Sequence, residues 1–296
     1  MTHLLCFGLG FSATKLAADL ASCGWTISAT ATTPDGAARI AALGYRAHLY
    51  DGTTRPHDLV EAIGAATHAV VSAPPGPNGD PVLAQLRESI AGSPTLGVVA
   101  YLSTIGVYGD HRGAWIDETA PLNARSARSV RRVEAEAAWS ELAQGAGKTA
   151  IAFRIAGIYG PGRSALDTVS EGTARRLIKP GQVFNRIHRD DIASMVAAAM
   201  MGRPSYAAYN VCDDEPAPPQ DVIAYAAELL GMPVPPDVPF ETADVSEMTA
   251  SFYSENKRTS NARAKADLGW RPKYPTYREG LGAIAAENRG SDPTNT

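Results

Sequence analysis

Residues 3–13 read H-L-L-C-F-G-L-G-F-S-A, and this stretch decides the fold. An apolar run of strand length, His3 to Gly8, passes into a glycine turn and then into a run with helical periodicity, Ser12 to Ser22. Gly8 permits a tight turn, Gly10 removes the side chain where a pyrophosphate approaches the backbone, and Ala13 is still small enough for close helix–strand packing. The helix that follows points free amides and the positive end of its dipole at the turn. Strand, turn and helix in that order separate a dinucleotide-binding loop from a glycine turn of purely structural use. Gly8, Gly10, Phe11, Ser12 and Ala13 are therefore the first candidate cofactor contacts.

Working outward, the same alternation recurs. Strand-like runs fall at Trp25 to Thr32, Tyr45 to Tyr50, His68 to Ala73, Gly97 to Ser103 and Thr149 to Arg154. Helical periodicity falls at Ala37 to Leu43, Pro56 to Gly64, Pro81 to Ala91 and Ala127 to Leu142. Repeated strand–helix–strand units predict an α/β fold, a Rossmann-type doubly wound parallel sheet. Beyond Gly160 the rhythm changes, and prolines gather at 216–219 and 233–239 around a helical stretch from Gln220 to Leu230. This predicts a dinucleotide-binding domain over 1–160, with 187–213 returning to it. Residues 161–186 and 214–288 are expected to form a smaller C-terminal substrate lobe, and 289–296 a flexible tail.

The chain has 296 residues, 45% hydrophobic and 20% charged, an ordinary balance with enough length for a sizeable core. A net charge of −4 without a long basic run speaks against a nucleic-acid partner. Cys6, Cys23 and Cys212 are far apart, which predicts reduced, mostly buried thiols in a cytoplasmic protein. The six histidines lack metal-ligand spacing, so no metal is expected. No apolar run reaches membrane-spanning length and the start does not read as a secretory signal.

The end of the second strand bears on the choice of cofactor. An acid there would hold ribose hydroxyls, and a basic residue would suit a 2′-phosphate. Residues 29–35 read A-T-A-T-T-P-D, with no acid before Asp35 and no base before Arg39. Thr30, Thr32 and Thr33 can bond to ribose or phosphate alike, so NAD and NADP both stay open. Asp51, after the third strand, faces the adenine side or serves as a turn acid.

Further stretches follow in order: S-T-I-G-V-Y-G at 103–109, R-I-A-G-I-Y-G-P-G-R at 154–163, R-I-H-R-D-D-I-A at 186–193, Y-N-V-C-D-D-E-P at 209–216 and N-A-R-A-K-A-D-L-G-W-R-P at 261–272. With the glycine loop, they make nearly the whole chain resemble the NAD(P)-dependent epimerase/dehydratase proteins of the extended short-chain dehydrogenase/reductase superfamily, in particular an atypical bacterial subgroup. The resemblance implies that Thr104 polarises the reacting carbonyl or alcohol, although a threonine there can equally satisfy a strand-end amide. It implies that Tyr108 shapes the substrate pocket. Tyr159 and Arg163 would border the nicotinamide on the substrate side, with Arg163 suited to an anion. Arg186, His188, Asp190 and Asp191 would link lobe and domain, or form a structural ion-pair and capping network. A homodimer through the helix at 127–142 is also implied.

In one place the pattern breaks. The family carries a tyrosine base and, four residues on, a lysine that lowers its pKa and holds the cofactor ribose. Aligned on Glu136, this chain has Arg128 and Arg132 there, and no tyrosine occurs between Tyr108 and Tyr159 nor lysine between Lys15 and Lys148. Arg132 can still hold the ribose, but a guanidinium stays protonated and cannot act as a base. Tyr108 is the nearest substitute acid, Asp117 and Glu118 are candidate bases, and Arg128 suits a carboxylate or phosphate. The same helix also reads as a solvated, salt-bridged face.

The expected function is an NAD(P)-binding oxidoreductase or epimerase/dehydratase of a small polar substrate, a nucleotide sugar by resemblance. Thr104, Tyr108 and Arg128 are the catalytic candidates, Gly8 to Ala13, Thr30, Thr32, Asp51 and Arg132 the cofactor candidates, and Arg163 and Tyr159 the substrate candidates. The competing expectation is a non-catalytic sensor or regulatory protein that kept the cofactor site.

Overall fold

A computed structural model describes residues 1–290. The first half alternates β1 (His3–Phe7), α1 (Phe11–Ser22), β2 (Thr26–Ala31), α2 (Pro34–Ala42), β3 (Arg46–Leu49), α3 (His57–Ala65), β4 (His68–Val71), α4 (Pro81–Gly92), β5 (Val98–Thr104), α5 (Ala127–Gly145) and β6 (Thr149–Ile155). The second half holds α6 (Ala165–Ser170), α7 (Arg189–Met201), β7 (Ala208–Val211), α8 (Pro219–Leu230), α9 (Glu247–Tyr253), α10 (Ala262–Asp267) and α11 (Tyr277–Gly290).

The numbered strands form one parallel sheet in the order β7-β6-β5-β4-β1-β2-β3. The winding direction reverses between β1 and β4, which places a crevice at their carboxyl ends, where β1 meets its glycine turn. This is the doubly wound α/β sheet that the sequence predicts.

β1 shows why the sheet must be covered twice. Leu4 and Cys6 enter one core with Leu16, Leu20, Ile192 and Met195, from α1 and α7. Leu5 and Phe7 enter the opposite core with Leu59, Ile63, Leu86, Ile90 and Trp139, from α3, α4 and α5. Alternate strand residues point to opposite faces, so a continuous apolar run is the signature of a strand buried on both. Each fully buried Leu or Phe contributes roughly 1.5–3 kcal/mol.

After β6 the chain leaves the sheet. Gly157–Tyr159 pairs with Arg186–His188, and Arg176–Ile178 with Asp237–Pro239. Leu166, Val169, Val222, Ala226, Leu281 and Ile284, from α6, α8 and α11, make a separate smaller core. Between these excursions α7 packs on α1 and β7 joins the sheet beside β6. α11 runs to Gly290, so Arg289 and Gly290 of the expected tail are helical, while 291–296 lie outside the described residues. No helix among the described residues is long and apolar enough to cross a membrane. The cysteines are free thiols, with Cys6 and Cys212 buried and Cys23 exposed.

Candidate functional site

Two cavities lie along the carboxyl edge of the sheet. The first, about 610 Å³, opens over the ends of β1, β2 and β3 and is lined by Gly8, Gly10, Thr30, Thr32, Arg39 and Asp51, among others. Its glycine turn is fastened from below. Gly8 has φ +86°, and a side chain there would meet Ser72 Oγ at 2.9 Å. The Gly8 amide donates to Thr30 Oγ1 (2.9 Å), and Ser72 Oγ donates to the Gly8 carbonyl (2.9 Å). Above the turn there is room: a Cβ on Gly10 would meet nothing within 4 Å. A cradle that a side chain would fill is the shape a pyrophosphate requires, so these residues fit a dinucleotide.

The other loop residues divide their duties. Ser12 and Ala13 are buried on the inner side of α1 and pack rather than line the cavity. Phe11 turns towards the loop at Gly160, and its ring lies beneath the guanidinium groups of Arg163 (5.7 Å) and Arg189 (4.8 Å). Asp51 lines the cavity, but its Oδ1 accepts from the Thr53 hydroxyl (2.7 Å) and amide (2.9 Å), bonds that hold this exposed carboxyl below its usual range.

The second cavity, about 650 Å³, lies over the ends of β5 and β6, with α9 contributing Phe252 and Tyr253. It brings together Thr104, Arg128, Arg132, Tyr159 and Arg163. Thr104 Oγ1 accepts from the Gly106 amide (3.1 Å), so it does satisfy a strand-end amide. That bond uses a lone pair and leaves the hydroxyl hydrogen to donate into the cavity. Arg132 Nη1 donates to the Leu102 carbonyl (2.6 Å), and its guanidinium lies over the Tyr101 ring. Arg128 lies over the Phe252 ring at 5.0 Å. The arginines with ion-pair partners among the described residues are Arg55, Arg154, Arg176, Arg189, Arg263 and Arg278, none of which lines this cavity.

Three contributions escape sequence reasoning. Arg186 lines the cavity and is half-buried, and its Nη1 donates to the carbonyls of Phe184 and Ala217 (3.0 Å each). Desolvation pushes its pKa down, which marks a cation that would gain from an anion beside it. Lys257 arrives from far along the chain, and its Nζ holds the Gly109 carbonyl (2.7 Å) and Glu255 (2.6 Å). Ser126 caps α5 and donates to the buried Ser129 Oγ (2.9 Å), which leaves the Ser129 hydrogen to donate into the cavity. A Cβ on Gly106 would lie 2.8 Å from Ser129 Oγ and 3.4 Å from Thr104 Oγ1, so the two hydroxyls flank a bare glycine. The only sequence signal for Ser129 is its place three residues after a capping serine.

The expectations for Tyr108 are corrected by its burial. It lines neither cavity, and its hydroxyl accepts from Arg154 Nη1 (2.9 Å) and donates to Asn210 Oδ1 (2.7 Å). Burial pushes its pKa up to about 12. It neither shapes the substrate cavity nor supplies a proton there. Asp117 and Glu118 are likewise removed as bases. Asp117 Oδ1 accepts from Thr119 in a turn, and Glu118 is bound to the Asn210 amide (2.7 Å) and faces Arg263 (3.4 Å). Within 186–193, His188 Nδ1 caps α7, while Asp191 accepts from the amides of Lys273 (2.6 Å) and Tyr274 (3.0 Å). That part of the segment is structural, and Arg186 alone of the four reaches the second cavity.

Sheet, glycine turn and lobe-side cavity together define an extended Rossmann-type protein. No protein-family profile matches the chain. A conserved protein of unknown function from Silicibacter pomeroyi is 49% identical, with 97% of this chain and 99% of that one covered at a TM-score of 0.88. A putative NAD-dependent epimerase/dehydratase from Methylobacillus flagellatus is 26% identical, with 97% and 98% covered at a TM-score of 0.71. Over nearly its whole length the chain is similar to the NAD-dependent epimerase/dehydratase proteins. A 3-diazoavenalumate denitrifying reductase of a Streptomyces species is 31% identical over 188 residues, 56% of this chain and 58% of the reductase's own length.

Proposed function

We propose that this protein is an NAD(P)-binding oxidoreductase, or an epimerase/dehydratase working through the same cofactor, whose substrate is a small polar anion. The observation that carries the reading is the placement of two cavities on one sheet edge, with the open cradle at Gly10 beside the switch point. The dinucleotide, when bound, supplies the hydride chemistry. Gly8, Gly10 and the first turn of α1 hold its pyrophosphate, and Arg132 its nicotinamide ribose. Thr104 and Ser129 donate to the reacting oxygen. Arg128, Arg163 and Arg186 hold the substrate's negative charge; nucleotide sugars are one class that meets this description.

The donor set fits a transition state with negative charge on the reacting oxygen. Hydroxyl and guanidinium donors stabilise charge that grows on an oxygen as an electrophile is reduced. Alcohol oxidation needs a base and carbonyl reduction its conjugate acid, and the arginines can provide neither. A general acid or base is usually worth ~10²–10⁴ in rate, so turnover is expected to be slow in both directions, with solvent water exchanging the proton at the open cavity. A second reading, a non-catalytic cofactor sensor, is favoured by the loss of the tyrosine–lysine pair from α5.

Fluorescence titration with NADH and NADPH tests the shared part of both readings, with Gly10→Val as the control. The Cβ of the new side chain enters open space, so binding should be lost while the melting temperature changes little. Binding that survives Gly10→Val sinks the pyrophosphate assignment. Turnover of a carbonyl and nucleotide-sugar panel, reduced by Thr104→Val, then separates enzyme from sensor.

A further inference from the structure

We infer that the first cavity is built for the 2′-phosphate of NADPH, with Arg39 and Thr32 as its selecting residues. The inference rests on the cofactor reading given under the proposed function and goes beyond it by choosing between the two dinucleotides.

Four observations converge. First, the carboxyl end of β2, where a carboxylate would bind the adenosine ribose hydroxyls, is Ala31-Thr32-Thr33, and all three residues line the cavity. Second, the hydroxyls there are not equivalent. Thr30 Oγ1 accepts from the Gly8 amide, and Thr33 Oγ1 accepts from the Gly36 amide to cap α2. Thr32 is exposed and makes neither kind of bond, so its hydroxyl is the one free to meet a ligand.

Third, Arg39 lines the same cavity, and its Nη2 lies 4.0 Å from the position a Gly36 Cβ would take. The guanidinium is therefore folded back over the first turn of α2, above a residue with no side chain. Asp35 sits four residues before Arg39 on that helix, the usual spacing for an ion pair. Even so, Arg39 is not among the arginines with a carboxylate within 4 Å among the described residues. Fourth, the acid that does line the cavity, Asp51, follows β3 rather than β2, and its Oδ1 is already occupied by Thr53. A free, forked cation stands where a phosphate dianion would lie, and no carboxylate stands there to repel it.

The experiment is a pair of fluorescence titrations, NADPH against NADH, with adenosine 2′,5′-bisphosphate and 5′-AMP as competitors. NADPH is expected to bind at least about tenfold tighter, and the bisphosphate to compete at least about tenfold better than 5′-AMP. Arg39→Ala should remove most of that advantage while NADH affinity stays within about twofold, and Arg39→Lys should restore part of it. The advantage should shrink with added salt, because the pair is exposed. NADH binding as tightly as NADPH, or an NADPH preference untouched in Arg39→Ala, overturns the inference while the dinucleotide reading stands. Failure of both dinucleotides to bind overturns the reading and the inference together.

Discussion

Glu136→Gln replaces one partner of a buried ion pair with its neutral isostere. Glu136 and Arg154 are 7% and 9% exposed, with Oε2 2.9 Å from Nη2 and 3.2 Å from Nε, and Ser103 Oγ donates to Oε1 at 2.5 Å. The same guanidinium donates to the Tyr108 hydroxyl, which continues through Asn210 to Glu118. Removing one charge leaves the other buried and uncompensated, a loss of about 3–5 kcal/mol. At about 2.1 cal/mol/K per residue the unfolding entropy is roughly 0.6 kcal/mol/K for this chain, so the melting temperature should fall by about 5–8 °C. Thermal denaturation and urea titration measure it. The double variant Glu136→Gln/Arg154→Met removes both charges and should lose less than the sum of the single losses by at least about 1 kcal/mol. A drop below about 1 kcal/mol in Glu136→Gln, or strict additivity in the double variant, refutes the view that this pair holds β5, α5 and β6 together.

Gly109→Ala should destabilise by several kcal/mol in urea, because φ is +68° and the new Cβ would lie 2.1 Å from the Asn123 carbonyl; a change within about 1 kcal/mol would contradict the packing. Gly10→Ala should stay within about 1 kcal/mol of wild type in the same assay, since its Cβ meets open space and only the capping preference is altered. Ser129→Ala should lower the rate of carbonyl reduction by roughly tenfold or more without changing cofactor affinity, and an unchanged rate would leave Thr104 as the sole hydroxyl donor. Burial holds the His188 imidazole down to about 4. The unfolded chain therefore takes up a proton between pH 6.5 and 4 that the folded protein refuses. Stability from this group is complete above pH 6.5 and is lost as pH falls towards 4, by up to about 1.4 kcal/mol per unit. Asp213, raised by burial, slopes the other way, so urea midpoints of wild type and His188→Asn should be compared across that range. Equal acid slopes in the two would refute the assignment.

Most of the sheet was legible because its strands are buried on both faces and its helices on one. The runs from His3 to Gly8 and Gly97 to Ser103 need no tertiary context to be read as strands, and the observed β1 and β5 differ from them by a residue at each end or less. The glycine turn was legible for a related reason, since backbone needs at Gly8 and Gly10 write themselves directly into residue type. The second cavity was not. Arg186 and Lys257 come from short irregular segments that pair in parallel with distant chain, and no local period announces which way they point. Tyr108 misled because its place in the motif is right while its hydroxyl turns inward to Arg154. Whether a polar tip reaches a cavity or a buried partner depends on contacts over one hundred residues away, here Asn210.

The alternation in β1 has a consequence for how such a chain can drift over generations. Inserting or deleting one residue before Gly8 would exchange the faces of Leu4, Leu5, Cys6 and Phe7 and put side chains of the wrong size into both cores at once. The position of the glycine turn is therefore inherited with the ability to fold. Arg128 and Arg132 sit on a helix whose buried apolar anchors are further along, at Ala135, Trp139 and Leu142. Side chains in its first turns can change without disturbing those anchors. A lineage of this fold is thus conservative about where a dinucleotide lies and free to experiment with what is done to the molecule beside it.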